Sequence, residues 1–303
     1  ALTTLAGFSK HHDIKCRQHA VFALGNLCAN HDNLERVVQA GCVKTLITYA
    51  FPSTDSSTNV QFQAIAALRG LATHQTIRMQ LVREGALEPL ILASQLESVE
   101  VQREVAATLC NLALAEENKV QMASNGVLPA LIALAQSKDH EREIHACACM
   151  ANLAEMVEGR TQRRMLEEGC LRPLLNLATN PHVEVVREVA RALALFASKR
   201  DSQASVLRSG GVQQMVAFAR QEDAVARRFG ALAIGNLAVV TQNHQELFDT
   251  GAVAALLPLA SSEDLETRRC VAFALNNIAS NELNHRVCER MGVLRPLVRL
   301  LKD

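Results

Sequence analysis

Tryptophan is absent from this 303-residue chain, tyrosine occurs once, and aromatic residues make up only 3% of it. Half of the residues are nevertheless apolar, with Ala and Leu dominant, a composition that suits an extensive core of closely packed helices. Net charge is missing too. Thirty-one Lys and Arg balance 31 Asp and Glu, so bulk electrostatics favour neither nucleic acid nor an anionic membrane. No apolar run approaches the roughly 18 residues of a membrane span. The opening ALTTLAGFSK lacks the basic region and hydrophobic stretch of a secretory signal. Catalytic signatures are absent as well: no phosphate loop with Lys-Ser/Thr, no GxSxG elbow and no HExxH. The ten histidines are scattered, and His140 and His145 are five apart, poorly aligned for a shared metal. Paired carboxylates occur only as helix-face charge. The expectation is a chain that is not an enzyme, binds no cofactor or metal, and does not insert in a membrane.

What the chain does have is one short stretch that keeps returning. AIGNLA at 233–238 has near-copies at 23–28 (ALGNLC), 108–113 (TLCNLA), 149–154 (CMANLA) and 274–279 (ALNNIA). Decayed copies stand at 67–72 (ALRGLA) and 192–197 (ALALFA). The marked positions, called n below, are Asn26, Gly70, Asn111, Asn152, Leu195, Asn236 and Asn277, separated by 44, 41, 41, 43, 41 and 41 residues. Gly41, Gly85, Gly126, Gly169, Gly210, Gly251 and Gly292 follow them by 15 residues, or 17 at Gly169. Two landmarks in register over the whole chain imply a stack of helical repeats. The irregular spacings fall in PSTDSSTN (52–59) and EMVEGRTQ (155–162), whose composition is that of loops able to absorb insertions.

Each repeat reads as a short helix, the glycine, a second helix and a long third helix, as in TQRRMLEEG (161–169), CLRPLLNLAT (170–179) and VEVVREVARALALFAS (183–198). The division expected is a partial repeat at 1–29, full repeats at 30–73, 74–115, 116–157, 158–198, 199–240 and 241–280, and a partial repeat at 281–303. Because both ends fall within repeats, the chain reads as a piece of a longer protein. Pro89, Pro129, Pro173 and Pro296 fit the first turn of a second helix, where the missing N–H is harmless, whereas Pro258 sits further in and predicts a kink. Cys28, Cys42, Cys110, Cys147, Cys149, Cys170 and Cys270 take apolar helical slots, the behaviour of free cysteine in a reducing compartment.

Three helices per unit, a glycine between the first two and a third helix ending ALxNLA resemble the armadillo repeat family along essentially the whole chain. HEAT repeats, the nearest alternative, have two helices and lack the glycine punctuation. The resemblance implies an all-α, right-handed superhelical solenoid and is nearest to multi-repeat scaffolds such as the yeast vacuolar type. Importin-α matches less well. Its groove Trp, four residues before the Asn, is replaced here by Phe22, Ala66, Ala107, Ala148, Arg191, Leu232 and Phe273.

Apolar residues at n−2 and n+1 form a stripe centred roughly 150° from n. The marked Asn therefore points away from the core. An amide there offers a donor and an acceptor to an extended peptide, whose backbone groups lack internal partners. In the family this Asn holds peptide backbone along the concave groove, a role the resemblance extends to Asn26, Asn111, Asn152, Asn236 and Asn277. Gly70 and Leu195 interrupt the ladder, leaving the pairs Asn111–Asn152 and Asn236–Asn277. The alternative is that these amides brace the neighbouring repeat's backbone. Helical spacing places n−4, n−7 and n−11 on the same face. That adds Phe22, Phe273, Arg191, His145, Glu104 and Glu188 to the candidate binding residues. Glu100, Glu141 and Glu184 make the middle of the groove acidic, relieved mainly by Arg191, although Glu also suits the first turn of a helix. A row of Arg103, Arg187, Arg228 and Arg269 at n−8 stands ready to pair with these Glu residues or to reach a partner.

The function expected is a protein-protein interaction scaffold or adaptor that binds a protein or extended peptide segment, basic or amphipathic, along the third-helix groove. Two rivals are a nuclear transport adaptor and a structural component of a large assembly, such as a ciliary axoneme, docking by its convex face or by loop 52–59. A third is an inhibitory domain attached to an enzyme. The compartment expected is cytoplasmic, with nucleus or cilium as alternatives; the partner's identity and the oligomeric state are not written in the sequence.

Overall fold

The computed structural model describes residues 2–52, 57–156 and 159–300, and among these every regular element is a helix. They form two compact units, Ala1–Met156 and Val157–Asp303. In the first unit, helices Leu2–Phe8 and Ile14–Cys28 precede three triplets that end in the long helices Thr58–Ala72, Val99–Leu112 and His140–Ala154. The second unit has triplets ending in Val183–Ala197, Ala224–Ala238 and Leu265–Ala279, followed by His285–Arg290 and Leu294–Leu300. The two loop-like segments of irregular spacing fall partly on residues 53–56 and 157–158, outside the described residues.

The glycine period has a backbone cause. All seven marker glycines join first to second helices at φ between 71° and 92°, a left-handed conformation in which a Cβ would crowd the following carbonyl. The long third helices stack on one another in order within each unit. At n−2, Leu24, Leu68, Leu109 and Met150 in the first unit and Leu193, Ile234 and Leu275 in the second are fully buried. At n+1, Leu71, Leu112, Leu153, Phe196, Leu237 and Ile278 join them. Each such burial contributes about 2 kcal/mol before entropy is counted. The core stripe is thus where the sequence places it.

Pro89, Pro129, Pro173 and Pro296 are all third in their helices. The kink expected at Pro258 is a full break: Ala252–Leu256 ends before it and the chain continues as a 3-10 turn, Pro258–Ser261. The ring cannot donate a backbone N–H and crowds the preceding turn, so a short helix stops rather than bends. Cys28, Cys42, Cys147, Cys149 and Cys170 are buried. Desolvation pushes the Cys28 and Cys170 thiols up to about 12, which keeps them protonated and poor nucleophiles.

Candidate binding surface on the third helices

The marked asparagines do not share one environment. Asn152 is buried, and its Nδ2 donates to the carbonyl of Cys110 at 3.4 Å. Asn236 donates to Ala194 O at 3.0 Å and Asn277 to Gly235 O at 3.3 Å. In all three the acceptor lies 42 residues back, one position before n on the preceding third helix. These amide nitrogens brace neighbouring repeats, as in the alternative stated above, and the expectation that the amide points away from packed structure fails for Asn152. The other two rungs differ. Among the described residues Asn26 is exposed, Asn111 half-buried, and neither side chain has a hydrogen-bond partner.

Asn26 and Asn111 line the same cavity of about 400 Å³ on the first unit, together with Gln63, Arg69, Gly70 and Thr73. Gly70, which breaks the ladder, is what allows this spacing. A Cβ on it would stand 2.5 Å from the carbonyl oxygen of Cys28, so only glycine lets the Thr58–Ala72 helix approach the end of Ile14–Cys28. The loss of one rung therefore brings the helices carrying two others to the edge of one depression.

The acidic face is more fully neutralised than its sequence implies. Arg69 pairs with Glu104 at 2.7 Å, and Arg103 Nε lies 3.4 Å from Glu141. In the second unit Arg191 pairs with Glu188 at 2.7 Å. Glu100, Glu141, Glu184 and Glu266 sit in the first turns of their helices, the position that complements the helix dipole. Burial raises the Glu104 carboxyl pKa, opposed by Arg69, and lowers that of half-buried His145, helped by the Arg69 charge. Phe22 is half-buried, whereas Phe273 keeps 40% of its surface exposed.

The arginine row does something its spacing does not announce. Arg103 reaches forward to Asp139 at 2.7 Å and Arg187 to Asp223 at 2.7 Å, each carboxylate being the N-cap of the next third helix. The arginine is the largest cause holding both aspartates low, and Asp139 falls from 3.8 to about 2. A depressed carboxyl pKa means stability fully present above pH 3.8 and lost as pH falls through about 2. Arg103→Gln is therefore expected to lower the unfolding free energy at neutral pH, by less than the full shift implies because solvent screens the exposed arginine. The difference from wild type should shrink in urea titrations as pH falls from 3.8 toward 2. An equal loss throughout would assign the effect to packing instead.

A second polar ladder also escaped the sequence reading. Asn33, Asn118, Asn243 and Asn284, all at n+7, donate to the carbonyls of Leu27, Leu112, Leu237 and Ile278 at 2.8–3.2 Å, closing the end of each third helix. Three of them also reach the neighbouring repeat: Asn118 to Arg78 O, Asn243 to Gln203 Oε1 and Asn284 to His244 Nδ1. Buried His244 accepts at Nδ1, so its Nε2–H donates to Ala238 O at 2.7 Å. The recurrence of Asn at n+7 was the available signal.

An armadillo/beta-catenin-like repeat model matches residues 162–198, and a HEAT-like repeat model matches residues 225–278. An engineered protein of known crystal structure superposes with a TM-score of 0.87 at 26% identity, over 99% of this chain and 71% of its own. A designed armadillo repeat protein superposes with a TM-score of 0.72 at 22% identity, over 78% of this chain and 100% of its own. Residues 162–198 thus match an armadillo repeat, and the chain has the fold of an armadillo repeat solenoid. Another designed armadillo repeat protein, solved in complex with the peptide (KR)4, gives a TM-score of 0.73 at 23% identity, over 78% of this chain and 98% of its own. No curated protein matches the chain. The armadillo repeat fold accounts for the single register kept by the triplets and the glycines.

Proposed function

We propose that this armadillo array is a non-enzymatic scaffold that holds an extended, amphipathic segment of a partner protein against its third helices. The observation that carries this reading is the cavity on the first unit, where Asn26 and Asn111 present amides with no partner of their own. An extended peptide has the complementary need, since its backbone N–H and C=O groups lack internal bonds. The designed relative solved with (KR)4 lends support to a peptide as the class of ligand. Glu104, Glu141 and Glu188 on this face already have arginine partners, which favours an amphipathic segment over a strongly basic one. Buried thiols accord with a reducing compartment, the cytoplasm first.

The test uses a peptide recovered from a display library and the double variant Asn26→Ala/Asn111→Ala. Two lost hydrogen bonds of about 1 kcal/mol each should weaken binding about 30-fold. The melting temperature should not change, because neither amide bonds within the protein. Asn277→Ala is expected to behave oppositely, with stability falling by about 1 kcal/mol as Gly235 O loses its donor. Unchanged affinity in the double variant would remove the cavity from the site.

A further inference from the structure

The forward-reaching arginine recurs once more in the second unit, and there it does not pair. Arg228 stands eight residues before Asn236, as Arg187 stands before Leu195, and Asp264 caps the next third helix as Asp223 caps its own. Yet the Asp264 carboxylate is taken by Thr267, whose backbone N–H donates at 2.9 Å and whose hydroxyl donates at 2.6 Å. The equivalent position after Asp223 is Ala226, which offers only its backbone N–H and leaves the carboxylate to Arg187. Among the described residues Arg228 forms no ion pair, and its guanidinium lies 5.2 Å from the centroid of the Phe229 ring.

The surroundings of this arginine are apolar. Phe229 and Leu232 on Ala224–Ala238 and Cys270 on Leu265–Ala279 are half-buried, and Phe273 remains 40% exposed. The Phe273 ring lies across the neighbouring helix at Gly235, where a Cβ would stand 2.7 Å from a ring carbon. Nearby carboxylates have other partners: Glu266 holds Arg269, and Asp264 holds Thr267. Asp264 feels the Arg228 charge but does not pair with it, and a cation stacked on an aromatic ring with no direct ion pair keeps its attraction for a carboxylate supplied from outside. Solvent-exposed apolar surface beside it calls for a large apolar side chain.

We propose that Arg228, Phe229, Leu232 and Phe273 form a subsite of the second unit that accepts an acidic residue adjacent to a large apolar one in an extended peptide. The charge complementarity commits the occupant to an acidic-apolar segment rather than a basic one. The inference rests on the reading that the third-helix faces receive an extended segment, and its test separates the two.

The whole chain is used to select from a display library of short peptides randomised at every position. Recovered peptides should be enriched in Asp or Glu next to Leu, Ile or Phe. Their affinity should fall about tenfold or more with Arg228→Glu, less with Arg228→Gln, and also with Phe273→Ser. A peptide with its acidic residue changed to Lys should regain affinity on Arg228→Glu, a rescue that loss of structure cannot produce. Peptides that respond to Asn26→Ala/Asn111→Ala but not to the Arg228 and Phe273 variants would overturn the subsite and leave the proposed function standing. Peptides enriched in Lys or Arg that depend on the second unit would overturn the charge assignment. A dimer in light scattering that Phe273→Ser dissolves would give the surface to a second copy of the chain and overturn the subsite. Recovery of no peptide, or indifference to every variant, would overturn both readings.

Discussion

Asn243→Leu is expected to lower the unfolding free energy by about 3 kcal/mol. The Asn243 side chain is buried, and its Nδ2 donates both to Leu237 O and to Gln203 Oε1, each at 2.9 Å. Leucine has nearly the same volume but leaves Gln203 Oε1 without a donor, at a cost of about 1–3 kcal/mol, and leaves Leu237 O with only the Val240 backbone N–H. Gln203 is itself committed to the carbonyls of Ala197 and Asn236, so it has little freedom to turn elsewhere. The loss should appear in urea unfolding and as faster hydrogen exchange at the end of the Ala224–Ala238 helix. A change well under 1 kcal/mol would mean that water replaces the amide and that the ladder is not a structural joint.

Gly230→Val should be nearly as damaging, at about 3 kcal/mol. Helix propensity alone argues the other way, since glycine inside a helix is about 1 kcal/mol worse than alanine. Packing decides against it. A Cβ at Gly230 would lie 2.6 Å from Ala219 N, 2.9 Å from Met215 O and 2.9 Å from Phe218 Cβ. Two of those three contacts are backbone, so the Gly211–Ala219 helix would have to move as a body and give up the burial of Phe218. Gly230→Ala separates the two effects by sign: close packing makes it destabilising, propensity makes it stabilising. Calorimetry on both variants reads the answer directly.

The two variants probe what periodicity conceals. Asn243 and Gly230 are, in the sequence, one polar residue and one glycine among many. Their importance comes from groups on a neighbouring helix. The same holds for the rungs of the third helices. Asn26, Asn111, Asn152, Asn236 and Asn277 share one helical position, yet three donate to a carbonyl of the preceding third helix and two have no partner. Helical spacing placed Glu104 and Glu188 on one face and could not reveal that Arg69, on a neighbouring helix, lies 2.7 Å from Glu104. Arg228 shows the limit most clearly. It occupies the same position as two stapling arginines, yet the next cap, Asp264, bonds to Thr267 and forms no direct ion pair with it.

Residue order alone determined the helical class, the triplet repeat, the buried stripe at n−2 and n+1 and the glycine joints. Each of these depends on interactions within a turn or two of chain, which recur wherever the pattern recurs. Only the tertiary structure decided which amides and arginines are occupied by neighbouring repeats and which face outward unpaired. Those partners lie about 40 residues away, and hydrogen bonds demand a fit of a few tenths of an ångström that one-dimensional spacing does not encode.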